Sequence, residues 1–250
     1  MYIDMVDLFT LGFKKNNLYE VLATTWEEEK KTRKMKPNTA CMGIRVLDEN
    51  LVSIGPYPTT TTYKNLKENG QIILNLINDI ELFAIAALKN QDATNPKLRE
   101  FPPTVYDFFL PSTVQEQLPD NKDLNIKKLP FISDSWGILL GEVQNQTKVL
   151  KKNGLGKIEI TKLQLKIIYT KKLKESYDLI NRAQNLALET IILATRMKIA
   201  KENSDHSKLN ILKKKTRDNI QNVQRFSNNV KAFKAIEYVK DYLAFYEIDL

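Results

Sequence analysis

Hydrophobic and polar positions alternate through much of the first 170 residues of the chain. The period of two is clearest at Met42–Leu47, and it predicts a strand with one buried face. Leu18–Thr25 is rich in strand-forming residues, and Ile72–Ile77 is apolar apart from Asn75, as in a buried strand. Further strands are predicted at Leu51–Ile54, Trp136–Leu150 and Lys157–Tyr169. A sheet assembled from strands that are not contiguous in the chain, with helical inserts between them, favours a small β-barrel.

Two short helices interrupt these strands. The first is predicted at Tyr63–Asn69, with Gly70 in the left-handed position that ends many helices. The second is predicted at Ile80–Lys89, behind Asp79 in the N-cap position. Gln91–Pro130 follows as a long stretch without strong periodicity, which is typical of a functional flap or a surface cover.

From Leu173 onward the hydrophobic period changes from two to about 3.6, the period of a helix. Helices are predicted at Ser176–Lys201, Lys208–Arg225 and Val230–Tyr246. We therefore predict an α+β protein of two domains, with a β-barrel over residues 1–170 and a helical C-terminal domain over residues 171–250.

Basic residues are concentrated in the predicted helical domain. The chain has 38 Lys and Arg against 30 Asp and Glu, and residues 171–250 have 16 against 10 while residues 1–170 have 22 against 20. Lys213, Lys214, Lys215 and Arg217 form a local cluster that could bind a nucleic acid. Because no aromatic residues are interleaved with this cluster, a solvated helix face is favoured over a nucleic-acid site. Nucleic-acid binding through the basic tail is kept as a lesser alternative.

A row of charged residues marks the first predicted C-terminal helix. Arg182, Glu189 and Arg196 are spaced seven apart, so they share one helix face. The row is either an ion-pair ladder that fixes the helix against the barrel or a partner subunit, or a charged group that reaches a cofactor or an anionic substrate. The sequence leaves both interpretations open.

The cysteine and histidine counts exclude several kinds of chemistry. A single cysteine, Cys41, excludes an intrachain disulfide and a thiolate zinc site. A single histidine, His206 in the polar stretch NSDHSK, excludes mechanisms that need two histidines, and we predict no metal site. Cysteine usage indicates a reducing, cytoplasmic compartment. We expect no membrane association, since no apolar run approaches the ~18–20 residues that span a bilayer and the amino terminus lacks a signal-peptide pattern.

The segment between Pro37 and Phe83 concentrates residues suited to a cofactor. Hydroxyl and N–H groups gather at a predicted helix start beside Thr59–Thr62, which is typical of a phosphate site. Asn75 places an amide in an apolar strand, where it needs a hydrogen-bond partner. The segment therefore suits a planar cofactor that carries a phosphate. The same residues also suit a helix cap, a polar loop and one satisfied asparagine, and spacing does not separate these alternatives.

Four motifs occur in an order that resembles the FMN-binding split-barrel superfamily of flavin-reductase-like proteins. They are Thr24-Thr25, PNTACMG from Pro37, TTTYKNL from Thr60 and ILNLINDIELF from Ile73. The helix NRAQNLALETIILATRM narrows the resemblance to a mainly archaeal branch known as domain of unknown function 447, in which a helical tail follows the barrel. The resemblance implies a split β-barrel that binds FMN, and a homodimer with the flavin near the subunit interface.

The resemblance also implies roles for individual residues. Asn38–Gly43 would lie along the isoalloxazine ring as a loop of small residues. Thr61 and Thr62 would lie near the phosphate, and Asn75 under the ribityl or phosphate end. The complete set of predicted cofactor-binding residues is Thr24, Thr25, Asn38, Thr39, Ala40, Cys41, Met42, Gly43, Thr61, Thr62, Tyr63 and Asn75.

Several of these residues also have ordinary structural interpretations. Thr24 and Thr25 suit a strand whatever they contact, and Tyr63 either stacks on the cofactor or packs in the core. The family has proline where this chain has Cys41, and the thiol is either a redox group or a small buried hydrophobe. Lys64 or Arg45 could add positive charge for the phosphate, or be solvated.

The resemblance implies an FMN-dependent oxidoreductase of the flavin-reductase type, acting on a small molecule that the sequence does not identify. The alternative is a carrier or sensor that holds flavin or a related ring without turnover. No side chain stands out as an obligatory acid or base, so catalytic residues are not assigned, and this is consistent with a cofactor that carries the chemistry. No G-x-G-x-x-G follows a strand, so the sequence predicts no nicotinamide site of that kind.

Overall fold

The computed structural model describes residues 7–28, 35–109, 129–153, 156–175, 182–226 and 230–250, with the backbone alone over 150–153 and 156–160. The chain divides into two compact units. The first comprises Met1–Ile77 and Pro103–Ser176, and the second comprises Asn78–Pro102 and Tyr177–Leu250. The second unit therefore joins the segment Asn78–Pro102 to the C-terminal helices.

Six antiparallel strands form a closed barrel in the first unit. They are β1 (Leu18–Glu28), β2 (Met35–Asp48), β3 (Leu51–Ile54), β4 (Gln71–Leu76), β7 (Gly137–Asn153) and β8 (Gly156–Lys172). Their order in the barrel is β1-β2-β3-β8-β7-β4, and the barrel is closed by the pairing of β4 with β1, where Leu22 lies opposite Asn75. The helix α1 (Thr61–Asn69) lies between β3 and β4 in the chain. The predicted α+β fold, a barrel followed by helices, is confirmed.

Alternation along the strands fills the barrel interior. Val21 and Ala23 of β1 lie opposite Met42 and Ala40 of β2, and Val21, Ala23 and Met42 belong to the interior cluster. Further members of that cluster are Ile44, Val46, Val52, Ile72, Leu74, Leu76, Leu139, Leu163, Leu165 and Ile167. Because successive residues of a strand point to opposite faces, Thr24, Thr39 and Asn75 lie on the outer face of the sheet.

A two-stranded ribbon, β5 (Tyr106–Phe109) paired with β6 (Leu129–Ile132), accompanies a second apolar cluster in the first unit. In that cluster Phe109 stacks on Tyr169, with ring centroids 5.9 Å apart and an interplanar angle of 16°. Phe109 also meets Phe131 edge-on at 6.0 Å. Within the predicted cover at Gln91–Pro130, residues 106–109 and 129–130 belong to this ribbon. Residues 110–128 lie outside the described part of the chain.

The structure corrects one local prediction. Residues 38–43 are not a loop, because β2 begins at Met35 and continues through them, with Asn38 opposite Thr25 and Gly43 opposite Glu20. None of residues 38–41 has a large apolar side chain, so the sequence does not mark which face of the strand is buried. Pairing with the strand-forming residues of β1 extends the strand nevertheless.

The second unit is helical. Its helices are α2 (Ile80–Leu88), α3 (Arg182–Glu202), α4 (His206–Phe226) and α5 (Val230–Phe245). Asp79 is the N-cap of α2, as predicted, and accepts hydrogen bonds from the N–H groups of Glu81 and Leu82. The predicted helix start at Ser176 falls in residues 176–181, outside the described part. No helix in the described ranges is long and apolar enough to cross a membrane.

Polar contacts tie α2 to α5 within this unit. Asp79 pairs with Lys231, and the Tyr238 hydroxyl donates to Glu81 Oε1 at 2.9 Å. Burial, reinforced by the Glu81 contact, raises the pKa of Tyr238. These contacts explain why Asn78–Pro102 clusters with the C-terminal helices. The predicted boundary at residue 170 did not anticipate this discontinuous segment, and the two-domain division stays a prediction.

The charged row of α3 is exposed, with Arg182, Glu189 and Arg196 each open to solvent. Within the described residues, Glu189 and Arg196 form no ion pair. Residues seven apart on a helix are about 10 Å apart, too far for direct pairing along the row. The row is therefore not a ladder within α3 itself.

Candidate functional site

The start of α1 presents the run of threonines predicted for a phosphate. Thr60 is the N-cap, with an extended backbone (φ −80°, ψ 150°), and its hydroxyl accepts from the N–H of Tyr63 at 3.3 Å. Thr61 is exposed, whereas Thr62 is buried. The N–H groups of Thr61 and Thr62 have no carbonyl partner inside the helix, because the first turn of any helix lacks one. Within the described residues, the first turn thus offers the Thr61 hydroxyl, which has no hydrogen-bond partner there, and two N–H donors.

Strand β2 meets this helix start directly. Asn38 Nδ2 donates to Thr62 Oγ1 at 3.2 Å. One turn along α1, Asn65 Nδ2 donates to the buried Thr25 Oγ1 at 3.1 Å, and Thr25 lies opposite Asn38 in the β1–β2 pairing. We call these four side chains the inner polar pairs. They bring together the two segments that the sequence predicted to share a site.

A second polar group is buried on the outer face of the barrel. Asn75 Nδ2 donates to Leu22 O at 2.7 Å and to Thr24 Oγ1 at 2.9 Å, while Asn75 Oδ1 accepts from the N–H of Ile132 at 2.8 Å. Thr24 and Thr39 share a hydrogen bond of 2.8 Å between their hydroxyls. Asn75, Thr24 and Thr39 are each 0% exposed. Their hydrogen bonds join β1, β2, β4 and β6.

The buried chain extends to Tyr106 of the ribbon, whose hydroxyl lies 2.8 Å from Thr39 Oγ1. Burial raises the pKa of Tyr106 to about 12, and the hydrogen bond to Thr39 acts in the opposite direction. The phenol is therefore protonated at neutral pH and connects β5 to the barrel. We call the set Asn75, Thr24, Thr39 and Tyr106 the outer polar chain.

A cleft of about 480 Å³ opens farther along β2. It is lined by Leu18, Met42, Gly43, Arg45, Ser53, Ile54, Gly55, Val149 and Lys162. A Cβ added at Gly43 would lie 3.3 Å from Leu18 Cδ1 and 3.4 Å from Glu20 Oε1, so a larger side chain would crowd this wall. Apolar walls with two cationic side chains, Arg45 and Lys162, suit a flat ligand with a polar or anionic edge.

The cleft and the helix start are linked by the same strand. Met42, in the cleft, lies four positions after Asn38, which is beside Thr62, and this corresponds to about 13 Å of extended chain. From the cleft wall at Gly55, a short loop leads to the N-cap Thr60. The two regions are therefore neighbours along the chain, joined by β2 and by this loop.

The remaining predicted residues have varied surroundings. Ala40 and Cys41 are half-buried. Met42 belongs to the interior core at 9% exposure, although it also borders the cleft. Tyr63 packs against the interior core, and its hydroxyl accepts from Gln146 Nε2 at 3.3 Å.

The structure separates ten of the twelve predicted residues into three places, and Ala40 and Cys41 of β2 lie outside these three groups. Thr25, Asn38, Thr61, Thr62 and Tyr63 lie at the α1 start, and Met42 and Gly43 lie at the cleft. Thr24, Thr39 and Asn75 lie in the outer polar chain. Whether each contacts a cofactor stays a prediction.

Sequence reasoning did not find Asn65 and Tyr106. Asn65 lies three residues after Thr62, on the same face of α1, and this helical spacing was the available signal. Tyr106 bonds Thr39 across 67 residues of chain, and no local pattern indicates such a contact.

Comparison with known proteins gives a family match over part of the chain and a shared fold. Residues 19–115 match the family described as "Protein of unknown function (DUF447) N-terminal domain", which confirms the resemblance found in the sequence motifs. None of the curated proteins matches the chain.

Comparison with solved structures identifies a shared fold. An FMN-bound protein from Methanosarcina mazei, assigned to the DUF447 family, is 16% identical with a TM-score of 0.63, covering 95% of this chain and 100% of that chain. The styrene monooxygenase flavin reductase of Pseudomonas putida S12 is 11% identical with a TM-score of 0.40, covering 62% of this chain and 83% of that chain. The nitrilotriacetate monooxygenase component B of Bacillus cereus is 12% identical with a TM-score of 0.39, covering 64% and 71%. The Methanosarcina structure establishes the shared fold.

Proposed function

We propose that this chain, whose residues 19–115 carry the N-terminal domain of the DUF447 family, is an FMN-binding flavoprotein. The observation that carries the proposal is the course of strand β2, which runs from the helix start at Thr62 to the cleft at Gly43. The shared fold with an FMN-bound protein of the same family supports it.

The phosphate of FMN would bind at the first turn of α1. A phosphate dianion needs N–H and O–H donors, and the helix dipole favours negative charge at this end. Thr61 is exposed and has both donors to offer, whereas the Thr62 hydroxyl already accepts from Asn38. We therefore assign the phosphate contact to the Thr61 hydroxyl and to the N–H groups of Thr61 and Thr62.

The isoalloxazine ring would lie in the cleft along β2. The absence of a side chain at Gly43 leaves this wall open, since a Cβ there would crowd Leu18 and Glu20. Leu18 and Val149 supply apolar surface, and Arg45 and Lys162 supply positive charge for the polar edge of the ring. The cleft volume of about 480 Å³ lies within the ~300–1,000 Å³ range of small-molecule sites.

The outer polar chain would support the site without touching the cofactor. Asn75, Thr24 and Thr39 satisfy one another and are inaccessible to solvent. Their hydrogen bonds fix β2 against β1 and β4, and so they fix the strand that positions both the cleft and Asn38. This role is positional, and it differs from the direct contact implied by the family resemblance.

The finer proposal is an oxidoreductase of the flavin-reductase type, acting in the cytoplasm as a homodimer on a small-molecule substrate. Bound flavin supplies hydride and electron transfer, and the protein supplies binding and orientation. The alternative is a carrier or sensor that binds flavin without turnover. Anaerobic addition of NADH or NADPH separates them, since bleaching of the flavin absorption supports the reductase. An unchanged spectrum with both donors would contradict the flavin-reductase proposal.

The cofactor proposal is tested by the purified protein itself. It should be yellow, or become so with added FMN, and it should release FMN and not the adenine dinucleotide on heating. A colourless protein that does not take up added FMN would contradict flavin binding.

The phosphate contact is tested by the ratio of affinities for FMN and riboflavin. Thr61→Val should weaken FMN binding by about tenfold or more, because a hydrogen bond to a charged group contributes ~1.5–3 kcal/mol. Riboflavin affinity should not change, since riboflavin lacks the phosphate. Thr59→Val is the matched control, an exposed threonine of the same run that lies before the N-cap. Equal FMN affinity in Thr61→Val and wild type would overturn the phosphate assignment.

The ring contact is tested by narrowing the cleft. Gly43→Val should weaken FMN and riboflavin to the same extent, because both carry the ring. Unfolding measured without ligand shows whether the added side chain disturbs β2. A folded Gly43→Val protein with unchanged affinity for both flavins would place the ring elsewhere.

A further inference from the structure

We propose that the solvent face of α4 binds the phosphate backbone of a nucleic acid. Five exposed side chains form this surface, which we call the α4 stripe: Asn210, Lys214, Arg217, Gln221 and Arg225. Because they follow one another at intervals of three or four residues, they lie along one line of the helix. The stripe extends over about 22 Å.

The opposite face of α4 is buried, which fixes the stripe toward solvent. Leu212, Thr216, Ile220 and Val223 are at most 8% exposed and recur at the same helical spacing. This face packs mainly against α3. Packing of the apolar face therefore fixes the orientation of α4 and keeps the stripe exposed to solvent.

The charge of α4 is strongly one-sided. Between His206 and Phe226 there are six basic residues and one acidic residue, Asp218. Asp218 flanks the stripe four residues after Lys214, and the stripe itself contains no acid. Across the described part of the chain, neither Lys214 nor Arg217 takes part in an ion pair. Like charges at this spacing destabilise a helix and attract a polyanion.

The composition of the stripe favours a nucleic acid over an anionic membrane. Arg and Lys neutralise phosphates, and the amides of Asn210 and Gln221 can bond to phosphate oxygens, sugars and base edges. An interfacial membrane helix needs a free apolar face. The apolar face of α4 is buried, and Ile211, 55% exposed, does not provide such a face alone.

The test is fluorescence anisotropy with labelled 24-base-pair duplex DNA and RNA and a 24-nucleotide RNA strand, measured with full-length protein between 50 and 200 mM KCl. The double variant Lys214→Gln/Arg217→Gln removes two phosphate contacts. On duplex DNA it should lower the slope of log K against log salt by about 1.8 and weaken binding about 60-fold at 0.1 M salt. The double variant Lys97→Gln/Lys240→Gln is the matched control, since it removes the same charge from exposed sites in the same unit.

The conservative variant Lys214→Arg/Arg217→Lys should retain binding, and circular dichroism should show equal helix content in all variants. Three results would overturn the proposal. The first is wild-type protein that binds none of the nucleic acids at 50 mM KCl. The second is equal weakening in the stripe and control variants, which would indicate a general charge effect. The third is binding to phosphatidylserine vesicles with no binding to nucleic acid.

Discussion

Replacing Asn75 by leucine should destabilise the protein in the absence of any flavin. The side chain is 0% exposed and makes three hydrogen bonds of 2.7–2.9 Å, to Leu22 O, to Thr24 Oγ1 and from the N–H of Ile132. Leucine has a similar volume but no polar atoms. It would leave the Leu22 carbonyl and the Ile132 N–H buried without these side-chain partners.

Each buried polar group without a partner costs about 1–3 kcal/mol, and the added apolar surface of leucine offsets part of this. We expect Asn75→Leu to lower the free energy of unfolding by about 3 kcal/mol. This corresponds to a fall in Tm of about 6–12 °C for a unit of this size. Urea unfolding of the flavin-free protein followed by circular dichroism gives the first quantity, and calorimetry gives the second.

The control for this variant is Asn145→Leu, an exposed asparagine of β7 whose side chain accepts a hydrogen bond from the neighbouring Gln146 N–H. Its free energy of unfolding should change by no more than about 0.5 kcal/mol. The positional role of Asn75 would be refuted if Asn75→Leu were as stable as wild type without flavin and had lost FMN affinity. That result would make Asn75 a direct cofactor contact.

Three further predictions concern stability. Gly70 has φ +69°, so Gly70→Ala should lower the free energy of unfolding by about 1 kcal/mol in urea, and Gly70→Asn by less; equal stability of all three would contradict the strain argument. Asp79→Ala should cost about 1–2 kcal/mol in calorimetry by removing a helix cap, and more than Lys231→Gln, which removes the exposed partner alone; the reverse order would be inconsistent with the capping role. The unfolded phenol ionises near pH 10, whereas burial raises the pKa of Tyr106 to about 12, so the contribution of Tyr106 to stability is constant below pH 10 and falls as the pH rises from 10 through 12. This fall should be smaller in Tyr106→Phe, and an unchanged profile would show that Tyr106 does not contribute to it.

Local patterns predicted the elements of the barrel well where the two faces of a strand differ. Met42–Leu47 alternates between core and outer positions, and Gly70 and Asp79 mark helix ends for stereochemical reasons. The pattern did not predict the strand at residues 38–41, because none of them has a large apolar side chain to mark the buried face. Their strand conformation comes from pairing with β1, a contact between distant parts of the chain.

Tertiary grouping was harder to predict than secondary structure. The helix Ile80–Leu88 is apolar on nearly every side, which is typical of a helix surrounded by other elements, but the sequence does not say which ones. The structure groups it with α5 through Asp79 and Lys231. In the same way, the sequence predicted that Asn75 needs hydrogen-bond partners. It did not identify them, because they lie on β1 and β6, which are distant in the chain.

The candidate site was predictable in its chemistry and less so in its geometry. The threonine run and Asn38 do meet, as expected from the motifs. Thr24 and Thr25 lie on opposite faces of β1, as the period of two requires. Thr24 therefore belongs to the outer polar chain, and Thr25 belongs to the inner polar pairs.

A crystal structure of the protein grown with FMN tests the central proposal most directly. The account predicts electron density for the phosphate within hydrogen-bond distance of the Thr61 hydroxyl and the N–H groups of Thr61 and Thr62, with the ring against Gly43 in the cleft. Density for FMN at another surface, or none at millimolar FMN in crystals that leave this cleft open, would contradict it.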